Sequence, residues 1–240
     1  MSTELVAPPE VNWAEANAKL ATATPQEILR WAVEMYHPRL TMATAFGPEG
    51  CVILHMLAEI EPSVRVFNLD TGYQFAETLA LRDQIARRYG IEVELVRSRE
   101  SVAEFESRNG GPLYVVDSDR CCHERKLVPL REAVVGYDAW ISAIRADQST
   151  HRAQAQVVSW DKKFGLAKIN PLLRWTKRDV WAFIVTHNVP YNPLHDQGYP
   201  SIGCWPCTRA VGQGEDERAG RWAGQAKTEC GLHSLDSSQL

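Results

Sequence analysis

No stretch of this 240-residue chain comes near the roughly 18 consecutive apolar residues that a membrane-spanning helix requires. Residues 1–12 (MSTELVAPPEVN) have neither the basic start nor the apolar run of a signal peptide. A basic excess is missing too: 26 Lys and Arg stand against 30 Asp and Glu, for a net charge of −4. Chains that grip nucleic acid by its phosphates carry such an excess, so nucleic-acid and membrane binding both fall away as leading functions. A local basic site for one small anion remains compatible with this balance. Internal repeats and low-complexity tracts are absent as well. At 45% hydrophobic and 23% charged, the composition is that of a soluble globular protein able to bury roughly 70% of its unfolded surface. A cytoplasmic location is expected, which puts the six cysteines in reducing surroundings and points to metal or catalysis sooner than to disulfides.

Periodicity divides the chain into three segments of one integrated domain: a helical segment 1–36, an α/β nucleotide-binding region 37–190, and a loop-rich segment 191–240. Residues 13–36 read as two helices, the second opened by Thr24-Pro25-Gln26-Glu27, a cap followed by proline at the first helical position. Strands are expected at 39–45, 64–69 and 91–96, with helices at 50–60 and 75–89 between them. Further strands are expected at 138–144 and 157–160, and a helix capped by Thr176 runs to His187. Strand–helix alternation at these lengths specifies a mainly parallel sheet with helices on both faces.

Cys121 and Cys122 are adjacent, Cys204 and Cys207 form a C-x-x-C, and Cys230 stands near the end. Cys51 sits in an apolar helical run and reads as a small core residue. The other four in two close pairs are what a soft metal centre needs, either Cys₄ zinc or an iron–sulfur cluster. The adjacent pair is awkward for a zinc knuckle and favours the cluster. Cys230 would be reactive if nearby cations lowered its pKa. Around the cysteines lie Arg120, Arg125 and Lys126, then Arg209, Arg218 and Arg221, which folding is expected to gather into an anion site. Two further candidates are the strand–helix loop Thr44–Gly50, whose backbone N–H groups suit a phosphate or sulfate, and the strand-ending Asp70-Thr71-Gly72.

From about Leu40 to His233 the chain resembles the assimilatory adenylyl-sulfate reductases, the iron–sulfur branch of the phosphoadenylyl-sulfate reductase family. The motifs that carry this are CCHERK at 121–126, WISAIRADQS at 140–149, KINPL at 168–172, SIGCWPCTR at 201–209, GRW at 220–222 and KTECGLH at 227–233. The resemblance implies an ATP-pyrophosphatase-like fold (adenine nucleotide alpha hydrolase-like) and one 4Fe–4S cluster on Cys121, Cys122, Cys204 and Cys207. It implies Cys230 as nucleophile, adenosine 5′-phosphosulfate as substrate, and thioredoxin or a glutaredoxin-like protein as thiol donor. Lys126, Arg218 and Arg221 match positions that contact the phosphosulfate, and Arg145 matches a motif arginine placed with them. Thr44, Phe46, Gly47 and Glu49, with Asp70, Thr71 and Gly72, match the loops that hold the nucleotide. His233, three residues after Cys230, is the candidate to orient or polarise the thiolate, a role taken from spacing alone. The loop departs from the family's usual Ser-Phe-Gly-x-Glu-Asp at Ala45 and Gly50, so side-chain contacts from those two positions do not carry over.

Three other readings compete. A reductase taking the 3′-phosphorylated substrate differs only in nucleotide preference. An ATP-dependent tRNA-thiolating enzyme would share the sheet, but it wants a basic RNA face and an ATP-cleaving loop that this chain does not carry. A Cys₄ zinc module binding a partner is the non-enzymatic reading. A homo-oligomer is compatible with all of them.

Overall fold

In this computed structural model residues 11–225 and 227 are described. Two helices lead in: α1 (Trp13–Lys19) and α2 (Pro25–Tyr36). Thr24 caps α2 as its sequence requires, its side chain accepting from the Glu27 N–H while Glu27 reaches back to the Thr24 N–H at 2.7 Å. Then come β1 (Leu40–Thr44), α3 (Pro48–Ile60), β2 (Arg65–Asp70), α4 (Ala76–Tyr89) and β3 (Val93–Arg97). Gly90 ends α4 in the left-handed conformation expected of a helix-stopping glycine. Short helices follow, α5 (Val102–Arg108), α6 (Leu113–Val116), α7 (Ser118–Cys122) and α8 (Val128–Ala133), with a π-helical turn at His123–Leu127 joining the last two. Strands β4 (Ala139–Ile141), β5 (Val158–Asp161) and β6 (Leu166–Ile169) precede the last long helix, α9 (Lys177–His187).

The six strands order as β3-β2-β1-β4-β6-β5, all parallel to their neighbours except β5, which runs antiparallel to β6 at the edge. Helices cover both faces, as expected, and alternate side chains of each strand feed two cores. Val66, Ala139, Ile141 and Ile169 join the larger core with α2, α3 and α9, while Phe67, Trp140 and Leu166 point the other way toward Leu130 and Val134. Helix α3 is apolar almost all round because it lies in the middle of the larger core, with Cys51, Val52, Ile53 and Leu54 fully buried. Asn17 blocks the outer edge of β5, donating to the Val158 carbonyl (2.7 Å) and accepting from its N–H (3.2 Å).

Two expectations shift. The strand expected over 138–144 covers only Ala139–Ile141; the Ser142 N–H still reaches the Ile169 carbonyl (2.9 Å) and its hydroxyl donates to Asn170 Oδ1 (2.6 Å), beyond which the pairing ends. Strand β6, four residues long, went unread because it is too short for alternation to register; the Asp161–Gly165 turn makes it the return arm of a hairpin. Among the described residues no helix is long and apolar enough to cross a membrane.

The reciprocal cap at Thr24 anchors α2 to the core through Ile28, Leu29 and Ala32. Thr24→Ala should cost about 1 kcal/mol of stability, read as a lowered midpoint in urea unfolding with an unchanged slope.

Candidate functional site

The order of strands reverses direction between β1 and β4, and open parallel sheets bind ligands at the carboxyl ends of strands beside such a reversal. A cavity of about 360 Å³ lies there, bordered by the segments that follow β1, β2 and β4 and roofed by residues from 195 to 222. That volume suits a nucleotide-sized ligand.

The loop after β1 is held by the last residue of that strand. Thr44 Oγ1 accepts from the Phe46 N–H (3.0 Å), and Phe46 takes a left-handed conformation, φ 55°, while its ring is buried. Gly47 then caps α3 and Pro48 occupies its first turn, so the helix N-terminus opens on the cavity. Gly50 has a steric reason here: a Cβ at that position would stand 2.7 Å from Thr44 Oγ1. The space that a side chain would fill belongs to the threonine.

Across the cavity Arg145, buried at 5% exposure, pairs with the carboxylate of Glu49 and gives its Nε to Asp147 (2.8 Å). This ties the β1 loop to the segment after β4. Asp70 serves the turn after β2: one oxygen accepts from the Gly72 N–H (3.0 Å) and the other from Arg97 Nε (2.7 Å). Thus Thr44, Gly47, Glu49, Thr71 and Arg145 border the cavity. Phe46, Asp70 and Gly72 stand behind that lining and shape its loops. Gly72 could hardly be anything else, since its φ is 79° and a Cβ would strike Val102.

Both cysteine pairs arrive at one place. Helix α7 carries Cys121 and Cys122, and the C-x-x-C loop is stitched to the β2 turn by the Gln74–Cys204 antiparallel bridge and by Trp205 N–H to Tyr73 O (2.8 Å). The four sulfurs border one small cavity adjoining the larger one, with Lys126, Cys204 and Arg221 on both walls. Burial, and then the neighbouring sulfurs of Cys122, Cys204 and Cys207, push the Cys121 thiol up to about 12. Cys207 rises to about 11 for the same reasons. Burial also works against ionising Cys204, but Lys126, a hydrogen bond with Thr71 Oγ1 (3.3 Å) and Arg221 outweigh it and hold that thiol below its usual range. Among the described residues no group of three or more His, Cys, Asp or Glu side chains is placed so that it could hold a metal ion.

The basic residues divide. Lys126, Arg218 and Arg221 border the cavity, and Arg221 Nε is buried with no acceptor. Arg125 instead plugs the fold: its guanidinium is buried, donating to the Thr71 carbonyl (2.9 Å) and the Glu100 carbonyl (2.8 Å). Arg120 pairs with Glu124, and Arg209 with Glu215, both at the surface. The π turn is where this separation occurs, and its wide i→i+5 spacing leaves no trace in residue types. Sequence reasoning also missed Gln74, Trp181 and His195 on the cavity wall, which come from three separate elements. Cys230 and His233 lie outside the described residues. Lys227, three residues before Cys230, is bound to the Ser118 carbonyl (3.0 Å) and Asp119 (2.7 Å) on α7.

Comparison with known proteins adds to this geometry. The family described as phosphoadenosine phosphosulfate reductase domain matches residues 39–210. The chain is 47% identical over 213 residues to a phosphoadenosine 5′-phosphosulfate reductase of Gloeobacter violaceus, covering 88% of each chain. It is 44% identical over 222 residues to an adenosine 5′-phosphosulfate reductase of Salinibacter ruber, covering 92% of this chain and 88% of that one. A solved phosphoadenylyl-sulfate reductase of Candida auris, in a phosphate complex, superposes with a TM-score of 0.75 at 32% identity, over 86% of this chain and 99% of the other. The fold is the ATP-pyrophosphatase-like one expected.

Gly50→Ala should cost about 1–3 kcal/mol by crowding Thr44. In a double-mutant cycle with Thr44→Ala, unfolding measurements should find the double variant losing less than the sum of the singles.

Proposed function

The chain belongs to the phosphoadenosine phosphosulfate reductase family, whose members act as oxidoreductases on a sulfur group, and we propose that it reduces adenosine 5′-phosphosulfate to sulfite and AMP in assimilatory sulfate reduction. One observation carries the proposal: two cysteine pairs from distant segments border a single cavity that shares Lys126 and Arg221 with a nucleotide-sized pocket. Cys121 and Cys122 are buried, Cys204 and Cys207 half-buried, and none of the four forms a disulfide, which suits a reducing compartment, the cytosol. The helical start, the α/β region 37–190 and the C-terminal segment 191–240 act as one unit in this reading, because each cysteine pair sits in a different segment.

Cys230 is the proposed nucleophile. Its thiolate attacks the sulfur of the phosphosulfate, an S–S bond forms, the S–O bond to the nucleotide breaks, and AMP leaves with that electron pair. Lys126, Arg218 and Arg221 hold the charge that collects on the departing phosphate; such a transfer is accelerated mainly by positioning and charge stabilisation. A thiolate of thioredoxin or a glutaredoxin-like donor then attacks the sulfur of Cys230 and sulfite departs. The donor's second thiol resolves the mixed disulfide, so the donor leaves oxidised and Cys230 returns as a thiol. His233 orients the thiolate in this scheme.

The donor set fits an iron–sulfur centre: four sulfurs border one cavity, with Lys126 and Arg221 beside them to offset anionic charge. Cys121, Cys122, Cys204 and Cys207 would hold a 4Fe–4S cluster. When bound, the cluster supplies order and a fixed electrostatic field beside the phosphosulfate site. The nucleotide loop binds the substrate through Thr44, Gly47 and Glu49, with Phe46 shaping the loop from behind and the Asp70-Thr71-Gly72 turn and the Glu49–Arg145 pair bracing it.

The relatives divide between the 3′-phosphorylated and the plain phosphosulfate in their names. Charge on the cavity wall favours the plain one. Arg145 is already matched by Glu49 and Asp147, and Lys177 by Glu217, which leaves these cations poorly suited to a second dianion.

Cys230→Ser should keep its iron yet form no S-sulfonate when incubated with substrate and no reductant, as read by mass analysis of the intact protein. Sulfite production at the wild-type rate in that variant refutes the nucleophile assignment. Cys122→Ala should lose most of its iron and acid-labile sulfide in anaerobic metal analysis, because a cluster missing one ligand is opened to solvent. Zinc without iron in the wild-type protein would point instead to a Cys₄ zinc module.

A further inference from the structure

Seven large apolar side chains are exposed among the described residues, and three of them stand beside the cysteines: Val115 (65%), Val116 (80%) and Trp205 (51%). Single exposed valines are ordinary, and Val135 and Val185 are of that kind. Val115 and Val116 instead form the outer half of α6, the turn just before the Asp117 cap of α7. The inner half packs: Leu113 is buried with Tyr73, Phe105 and Cys121, and the Tyr114 ring meets the rings of Tyr73 (5.2 Å) and Trp205 (6.2 Å). Trp205 belongs to the C-x-x-C loop, so the exposed apolar pieces come from two distant segments and adjoin at Tyr114. Neither helix propensity nor burial calls for two valines in water here, since β-branched side chains are poor helix formers. The exposed Asp117 and Asp119 follow, and they give the patch the polar border of an interaction site.

The chain that leads to Cys230 is fastened at the same place. Gln225 Nε2 donates to the Tyr114 carbonyl (3.4 Å), and its Oε1 accepts from Ser118 Oγ (2.5 Å). Lys227 Nζ donates to the Ser118 carbonyl (3.0 Å) and pairs with Asp119 (2.7 Å). Three residues of fully extended chain span at most about 11 Å. A protein whose thiol reaches Cys230 therefore comes down on the surface around Lys227, and α6 is part of that surface.

We propose that Val115, Val116 and Trp205 are the docking surface for the dithiol donor that discharges Cys230, a small protein presenting its reactive thiol on an apolar face. The inference rests on the proposed reaction and adds where the donor binds. The exposed parts of three such side chains amount to on the order of a few hundred Å², against roughly 800 Å² per partner in a lasting complex, and redox encounters lie at the small end of that scale. A second copy of this chain would need more area to stay bound, whereas a donor must leave after each turnover. On this surface the donor thiolate forms a disulfide with Cys230 Sγ, the bond to the sulfonate breaks, and sulfite leaves with its electron pair. The donor's second thiol then resolves the disulfide, so the donor is oxidised and Cys230 regains its thiol.

Steady-state sulfite release from adenosine 5′-phosphosulfate by the anaerobically purified full chain tests it. Thioredoxin is the donor in one series, and dithiothreitol, which needs no docking surface, in the other. Val115→Asp/Val116→Asp should raise KM for thioredoxin at least about tenfold, because a charge is buried unpaired at the contact, and leave the dithiothreitol rate and donor-free S-sulfonate formation within about twofold. Val116→Lys alone should raise that KM by about threefold or more. Val185→Asp, at an exposed position of α9, should leave both series as they are. An unchanged KM for thioredoxin in the double variant overturns the proposal. An equal loss with both donors would mean that the patch seats residues 228–240 of this chain, and overturns it too. So does sedimentation of the wild type as a dimer that the double variant breaks, which assigns the patch to a second copy. Wild-type protein that forms no S-sulfonate refutes the reaction and the surface with it; S-sulfonate formation with a thioredoxin KM indifferent to these valines refutes the surface alone.

Discussion

The site depends on a short stitch between the turn that ends β2 and the C-x-x-C loop. Gln74 pairs with Cys204 as an antiparallel bridge, the Trp205 N–H reaches the Tyr73 carbonyl, and Thr71 Oγ1 shares a hydrogen bond with the Cys204 sulfur. Residues 130 or more positions apart are thereby joined at the carboxyl end of the sheet. This stitch helps to fix the second cysteine pair beside the first, where Cys204 packs against the cluster that contains Cys121. The adjoining loop is locked by the same means: Arg209 N–H bonds to the Gly220 carbonyl, and Thr208 bridges to Arg221. Arg221 is delivered to the cavity wall as a consequence.

Charge is arranged to match. Burial opposes ionisation of Cys121 and Cys207, which are raised, while Cys204 is drawn down by Lys126, its hydrogen bond with Thr71 and Arg221. Those two cations also face the larger cavity. An anion bound there and negative charge on the sulfurs would draw on the same pair of side chains, which couples the two sites electrostatically without any moving part. Arg125, one residue from Lys126, is spent on the backbone carbonyls of Thr71, Glu100 and Ser101. It holds the β2 turn in place, while its neighbour Lys126 faces the cavity.

Much of this was legible in residue types. Capping signals at Thr24 and Thr176, the glycine stop at Gly90 and the apolar run of α3 located their helices to within about two residues, because caps and burial act over a few neighbouring positions. Strand–helix alternation carried the parallel sheet. The cysteine spacing singled out four residues of one site. Harder to see were β6, too short to alternate, and the π turn, which has no compositional mark. Gly50 read as a missing carboxylate, yet its meaning is steric and belongs to Thr44.

The chain's own order of residues determined which elements form and which chemistry is on offer, since propensity, capping and side-chain type are local properties. Tertiary structure decided which of the basic residues face the cavity, which plug the fold, and which apolar side chains stay in water. Val115, Val116 and Trp205 carry no signal singly. They acquire one only when packing buries Leu113 and leaves these three exposed around Tyr114, and that division between core and water is a property of the folded whole.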